Sequence, residues 1–223
     1  MDIQKRIDQL CKSLDAQTKE LYADTPGKLL LLGQKDSIFL NAIKRKADSM
    51  GLVCDFGKVS PPYTGVVADT EFPGIKGYPL TSDVDIDNIK APGISCVALG
   101  ILYLLLRQGL VVGKTITIVG RGHAVKGLAQ ALIENDATVT VAHSKTSDLF
   151  RATEDRDVVI YATPELTQYP CFNTKYLVID LGNCFTEMDK EHFRCDFVGN
   201  IGRLTVSVIL NEFAKNGRRV RYI

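Results

Sequence analysis

Residues 114–146 read KTITIVGRGHAVKGLAQALIENDATVTVAHSKT, and the rest of the chain is organised around them. A β-branched run at 115–119 breaks into a glycine-rich turn, a helical pattern follows, and a second β-branched run at 138–141 ends at His143-Ser144-Lys145-Thr146. Strand, turn, helix and strand in that order, over this length, predict a dinucleotide-binding βαβ unit. Backbone N–H groups exposed by glycines at a helix N-terminus, reinforced by the helix dipole, suit a pyrophosphate. Gly120 and Gly122 supply the turn and the close approach of the backbone, and Gly127 is expected to let helix and strand pack closely. The spacing is GxGxxxxG, longer than the usual GxGxxG fingerprint.

An acid at the end of the second strand holds the ribose hydroxyls of NAD, whereas a basic residue there favours the 2′-phosphate of NADP. Here that strand runs into His143, Ser144 and Lys145, with Arg121 in the phosphate turn, so the expected cofactor is NADP. The competing reading leaves Lys145 as a surface residue beside a turn that binds nothing. His123 lies in the turn itself and reads as a backbone-bonded residue rather than a catalytic one.

Working outward, helix and strand alternate. Apolar residues at 3, 7, 10, 14 and 21 predict an amphipathic helix over 2–22, followed by a strand at 28–32 (KLLLL), a helix at 37–50 closed by Gly51, and a strand at 52–56. Residues 57–82, rich in Pro, Gly and Thr, predict loops around a short strand at 66–68. Residues 96–110 are apolar almost all round and predict a buried helix linking two domains. Further strands are expected at 158–162, 177–181 and 197–199, with a helix at 203–215. The pattern implies an α/β protein of two α/β domains, the second a Rossmann-like doubly wound parallel sheet.

At 223 residues there is enough chain to bury two modest cores. Lys plus Arg number 27 against 26 Asp plus Glu, which gives no electrostatic reason to expect nucleic acid or an anionic membrane as the main partner. The longest apolar stretch, 97–106, is too short to span a bilayer. Six cysteines show no metal-ligand spacing, and residues 1–10 carry no apolar signal core, so reduced thiols and a cytoplasmic location are expected. Asp83, Asp85 and Asp87 invite a metal reading but lack the later ligands of an EF-hand loop, and no metal site is assigned. The basic tail NGRRVRYI reads as a solvated end.

Taken together, the motifs resemble a known family. Residues 113–146 are similar to GKxxxVxGRSxxVGxPxxxLLxxxxATVTxxHSxT, the cofactor-domain pattern of the bifunctional methylenetetrahydrofolate dehydrogenase/methenyltetrahydrofolate cyclohydrolases (FolD-like proteins). SCVALGI at 95–101 resembles PCTPxGI, VIDLG at 178–182 resembles VIDxG, and GNIGRLT at 199–205 resembles GGVGPMT. Upstream, 31–47 resembles VGxxxxSxxYVxxKxKA, and SDVD at 82–85 resembles KDVDG. The resemblance implies a folate-binding, catalytic domain over 1–96 and an NADP-binding domain over 97–202. It also implies that a C-terminal helix at 203–223 returns to the first domain, with the active site in the cleft between the two. It places the catalytic lysine at Lys44 and the pterin-gripping aspartate at Asp85. It places Leu40, Gly77 and Thr205 at further substrate-binding positions, and Thr163 and Ile201 beside Gly120, Arg121, Gly122, His143, Ser144 and Lys145 at the cofactor. A homodimer and a tetrahydrofolate-derived substrate are implied in the same way.

The chain departs from the family pattern where protons are handled. Leu40 stands in place of the tyrosine four residues before the lysine, Gly77 in place of the lysine's glutamine partner, and Ile86 in place of the glycine after Asp85. Chain is also lost between 57 and 95 relative to the pattern. Residue by residue, Lys44 reads as a solvated position in the run Lys44-Arg45-Lys46; the family pattern makes it the proton-transfer group, its pKa lowered by burial and neighbours. Losing the partners of such a group costs about 10²–10⁴-fold in rate, whereas hydride transfer mainly needs two ligands held face to face. The expected function is therefore an NADP-dependent methylenetetrahydrofolate dehydrogenase of one-carbon metabolism, with cyclohydrolase activity in question. The alternative is a catalytically degenerate homologue that binds a dinucleotide or folate-like ligand as a sensor or regulator.

Overall fold

Parallel strands buried on both faces need continuous apolar runs, and KLLLL, TITIV, VVIY and LVID are such runs. In the computed structural model, which describes residues 2–57, 63–69 and 80–220 (side chains through 217), each of them is a strand. The chain divides into two compact units, Asp8–Cys96 with Gly202–Ile223, and Val97–Ile201 with the start of the first helix up to Ile7.

The first unit holds a parallel sheet of order β2-β1-β3, with β1 at Lys28–Leu32, β2 at Val53–Phe56 and β3 at Gly65–Ala68. Around it lie α1 (Ile3–Asp24), α2 (Ile38–Met50) and α7 (Gly202–Val220). Ser37 starts α2 by accepting the Leu40 N–H, and Gly51 ends it at φ 75°, a left-handed cap that glycine adopts without strain. Helix α7 is tied to α1 by Asn211, whose amide donates to Gln17 Oε1 at 3.1 Å and Thr18 Oγ1 at 3.2 Å. Gly65 is required by space, because a Cβ there would stand 2.7 Å from the Phe213 ring of α7.

The second unit is a five-stranded parallel sheet of order β5-β4-β6-β7-β8. Its strands are β4 (Thr115–Val119), β5 (Thr138–Ala142), β6 (Val158–Tyr161), β7 (Leu177–Asp180) and β8 (Asp196–Val198). The order reverses at β4, the topology of a doubly wound sheet. The helix at the head of this unit, α3 (Cys96–Gln108), begins at the boundary, which lies after Cys96. After β4 come a short 3₁₀ turn (His123–Val125) and α4 (Leu128–Glu134), whose Leu128 and Leu132 are fully buried. Two short helices escaped the sequence reading: α5 (Leu149–Thr153) and α6 (Glu187–Lys190), both too short to show a period.

The crossover from β6 to β7 has no helix, and that from β7 to β8 has only α6. Aromatic side chains fill the layer that crossover helices would occupy. Phe185 meets the Tyr161 ring edge-on at 4.7 Å and Phe193 at 5.2 Å, and Phe172 packs on Phe193 at 4.9 Å. The cysteines are free thiols, and burial pushes Cys54 and Cys184 up to about 12 and Cys195 up to about 11. A raised pKa keeps these three as thiols rather than nucleophilic thiolates near neutral pH. Among the described residues no helix is long and apolar enough to cross a membrane.

Asp157 joins β4 to the start of β6 by accepting from Thr115 N at 2.8 Å and Thr115 Oγ1 at 2.9 Å. Burial works against its ionisation, but these bonds and the Lys175 and Lys114 charges outweigh it and hold the carboxyl below the usual range. A depressed folded pKa stabilises above the unfolded value, about 3.9, and that contribution disappears as pH falls through the folded pKa. We therefore expect Asp157→Asn to lose about 1–2 kcal/mol at neutral pH in urea unfolding, with the gap to wild type closing below about pH 4.

Candidate functional site

In a doubly wound sheet, ligands bind outside the carboxyl ends of the strands where the order reverses. At that point, beyond β5, β4 and β6, the chain forms a cavity of ≈ 250 Å³. Its floor is Val119, Gly120, Arg121 and Gly122; one wall is His143, Ser144, Thr146 and Leu149, and the other runs from Ala162 to Thr167. Gly120 has φ 118°, and a Cβ there would lie 2.5 Å from the Ala162 carbonyl oxygen, so both conformation and space demand glycine. Beside Gly122 a Cβ would meet nothing within 4 Å, which leaves the backbone open to a ligand.

The turn after β5 is held by its own short bonds. His143 N donates to Thr146 Oγ1 at 2.9 Å, and Thr146 N returns a bond to His143 O at 2.8 Å. Lys145 N donates to His143 Nδ1 at 3.1 Å; a backbone N–H can only donate, so Nδ1 is the unprotonated ring nitrogen. Arg121, Ser144 and Lys145 are exposed at this end of the sheet, although Lys145 lies outside the cavity wall. Glu165 is the acid on the wall among the described residues, and it stands on the β6 side. The donor set is therefore glycine N–H groups, guanidinium, ammonium and hydroxyl, which fits the phosphate groups of a dinucleotide.

The helix N-terminus expected behind Gly122 is not where the glycine spacing placed it. Gly122 opens only the 3₁₀ turn, and α4 begins at Leu128 after Gly127, which is exposed with φ 76°. Gly127 thus supplies a left-handed backbone, not close helix–strand packing, and this explains the long GxGxxxxG spacing. Thr163 lines the cavity and donates its hydroxyl to Glu165 O at 2.8 Å. Ile201 is buried and stands off the cavity wall.

Sequence reasoning missed the whole wall from 164 to 167, which carries no periodicity or motif; the available signal was its place directly after a parallel strand. On its far side lies a second cavity of ≈ 390 Å³, bounded by Tyr169, Phe172, Cys184, Phe185 and Asp189 and sharing residues 164–167. The base of the wall is set by Gly182, where a Cβ would fall 1.7 Å from the Thr163 carbonyl oxygen and 2.4 Å from its carbon.

Lys44, Asp85, Leu40 and Thr205 lie in the other unit. Lys44 Nζ donates to Asp48 Oδ1 at 2.5 Å, one turn along α2, and that bond raises its pKa, the opposite of the expected lowering. The reason is that the ammonium has an adjacent carboxylate and little burial. Asp85 is buried, and its carboxylate accepts three backbone N–H groups: Ile89 at 3.0 Å on Oδ1, and Lys90 at 2.8 Å and Ala91 at 3.1 Å on Oδ2. Asp87 likewise accepts from Cys96 N at 2.7 Å. Among the described residues no group of His, Cys, Asp and Glu is arranged to hold a metal ion. Leu40 is fully buried in the core and Thr205 is buried. Gly77 lies outside the described residues.

Residues 95–219 match the tetrahydrofolate dehydrogenase/cyclohydrolase NAD(P)-binding domain. The chain belongs to this family. The bifunctional protein FolD of Listeria monocytogenes serotype 4a is 28% identical over 157 residues, 61% of this chain and 55% of that protein. The chain thus spans about half the length of the curated relatives it matches. Among solved structures, the FolD of Trypanosoma brucei complexed with NADP cofactor and inhibitor superposes with a TM-score of 0.76 at 18% identity, covering 100% of this chain and 98% of that one. The NAD-dependent 5,10-methylenetetrahydrofolate dehydrogenase of Saccharomyces cerevisiae does so at 0.73 and 15%, with the same coverage. At these identities the likeness establishes the shared fold. The family match covers the sheet that carries the cavity, so that cavity belongs to the family's NAD(P)-binding domain.

Gly182→Ala forces either β7 or the Thr163 peptide to move. Because Gly182 has no positive φ, space alone is responsible, and we expect a loss of about 1–3 kcal/mol in urea unfolding, whereas Gly122→Ala stays near wild type.

Proposed function

We propose that the chain is an NADP-dependent methylenetetrahydrofolate dehydrogenase. The observation that carries the proposal is the cavity at the β5-β4-β6 switch point, with Arg121 and Ser144 on its lining, Lys145 beside it, and His143-Ser144-Lys145 rather than a carboxylate following β5. The Gly120–Gly122 backbone would hold the pyrophosphate, and Ser144, Lys145 and Arg121 the 2′-phosphate. Leu149 and Leu166 give the cavity apolar surface that excludes water from the bound end of the dinucleotide. When bound, the nicotinamide supplies the hydride acceptor for the methylene carbon of the folate.

Cyclohydrolase chemistry asks for a group that takes and returns a proton near neutral pH. Lys44 is held as an ammonium by Asp48, and Asp85 spends its lone pairs on the 89–91 backbone. This arrangement favours dehydrogenase activity without efficient cyclohydrolase activity.

The test mixes protein, methylenetetrahydrofolate and NADP and follows NADPH absorbance. We expect NADPH to form, Lys44→Ala to change the dehydrogenase rate by no more than about two-fold, and hydrolysis of the methenyl product to stay near the uncatalysed rate. NADP binding by calorimetry with no NADPH at high protein would replace the enzyme with a dinucleotide-binding sensor. Lys145→Ala should weaken NADP about ten-fold and leave NAD nearly unchanged, since one charge-assisted bond to the 2′-phosphate is removed. Equal loss for both dinucleotides would remove Lys145 from the phosphate site.

A further inference from the structure

The wall formed by residues 164–167 borders both cavities, and of its residues only Leu166 packs on the apolar core while Pro164, Glu165 and Thr167 are exposed, so packing alone gives the wall a single point of attachment. Directly after it, Gln168 makes two bonds across the gap. Its Oε1 accepts from Leu149 N at 3.0 Å, and its Nε2 donates to Thr146 O at 3.1 Å. Both partners belong to the opposite wall, and Leu149 and Thr146 themselves line the smaller cavity. Thr146 in turn receives His143 N on its hydroxyl and donates its own N–H to His143 O. One exposed amide therefore spans the two loops that enclose the cavity and fixes the turn bearing Ser144 and Lys145.

We propose that Gln168 is a positioning residue of the dinucleotide site, a strap that sets the width of the cavity and the placement of the 2′-phosphate-binding turn. The proposal rests on the dinucleotide reading above. Gln168 does not line the smaller cavity, so its effect passes through Thr146 and Leu149 rather than through contact with the cofactor. An amide is suited to the task because it offers a donor and an acceptor from one planar end, matching the carbonyl of Thr146 and the N–H of Leu149. Methionine keeps the length and volume and removes both bonds.

Gln168→Met is compared with wild type by calorimetry with NADP and with NAD, and by hydrogen exchange at the Leu149 amide without ligand. We expect the NADP dissociation constant to rise about 5–30-fold, from the loss of two hydrogen bonds that preorganise the site. The NADP-to-NAD preference should shrink, a change that a uniform loss of folded protein does not produce. Exchange of the Leu149 amide should accelerate, and KM for NADP should rise while kcat at saturation holds. Gln130→Met, which removes an exposed bond to Glu134 on α4, serves as the control and should leave affinity at the wild-type value. If Gln168→Met folds poorly, Gln168→Glu keeps the acceptor for Leu149 and loses the donor to Thr146, and the same reduction in NADP preference is expected.

Faster Leu149 exchange with unchanged NADP affinity and preference would overturn the positioning role. Wild-type exchange at Leu149 would overturn the strap itself. Absence of dinucleotide binding by the wild-type chain would instead remove the functional reading, and the positioning role with it, while the exchange measurement still reports on the strap.

Discussion

Three strand ends of the second unit meet through backbone alone: Gly120 against the Ala162 carbonyl, and Gly182 against the Thr163 carbonyl. Any side chain at either glycine would push β4 or β7 away from β6. Because the strands are parallel, all their carboxyl ends emerge on one side, and how closely they approach determines what space remains above them. The candidate site is that space. Its floor is backbone, its charged groups stand around it, and its walls are two loops that follow neighbouring strands of β4.

The same sheet economises on helices. The connection from β6 to β7 is a loop, and the face that a crossover helix would cover is closed by Phe172, Phe185 and Phe193 packed on Tyr161. Aromatic rings bury enough area to replace a helical layer, but they leave the loop above them with cavities on both sides. Directional bonds from Gln168 then do what packing does elsewhere in the unit.

In the first unit, Asp85 shows how a residue of a functional motif can also carry an architectural role. Its carboxylate gathers three N–H groups of the 89–91 segment, and its own backbone lies against β3 through a bridge to Val66. Removing it would strand the buried Ala91 N–H, at a cost of about 1–3 kcal/mol, and release the part-buried N–H groups of Ile89 and Lys90. Lys44, by contrast, pairs with its helical neighbour Asp48, a half-exposed pair that raises the lysine pKa, the direction opposite to what base catalysis asks.

From sequence alone, the fold class and most element positions were legible, because continuous apolar runs and 3.6-residue periods are local properties. β1 and β4 coincide with their expected limits, the Gly51 cap closes α2, and the basic ending of β5 was visible as His143-Ser144-Lys145. Elements of little more than one turn, α5 and α6, were too short to show a repeating period. What only the tertiary structure decided are relations between residues far apart in the chain: that Gly182 is dictated by Thr163, that Gly127 serves as a left-handed turn before a late-starting helix, and that Gln168 reaches Leu149 and Thr146. The physical reason is that a strand announces itself through its own side chains, whereas a cavity is made by the distance between loops, and that distance is set by contacts across the fold.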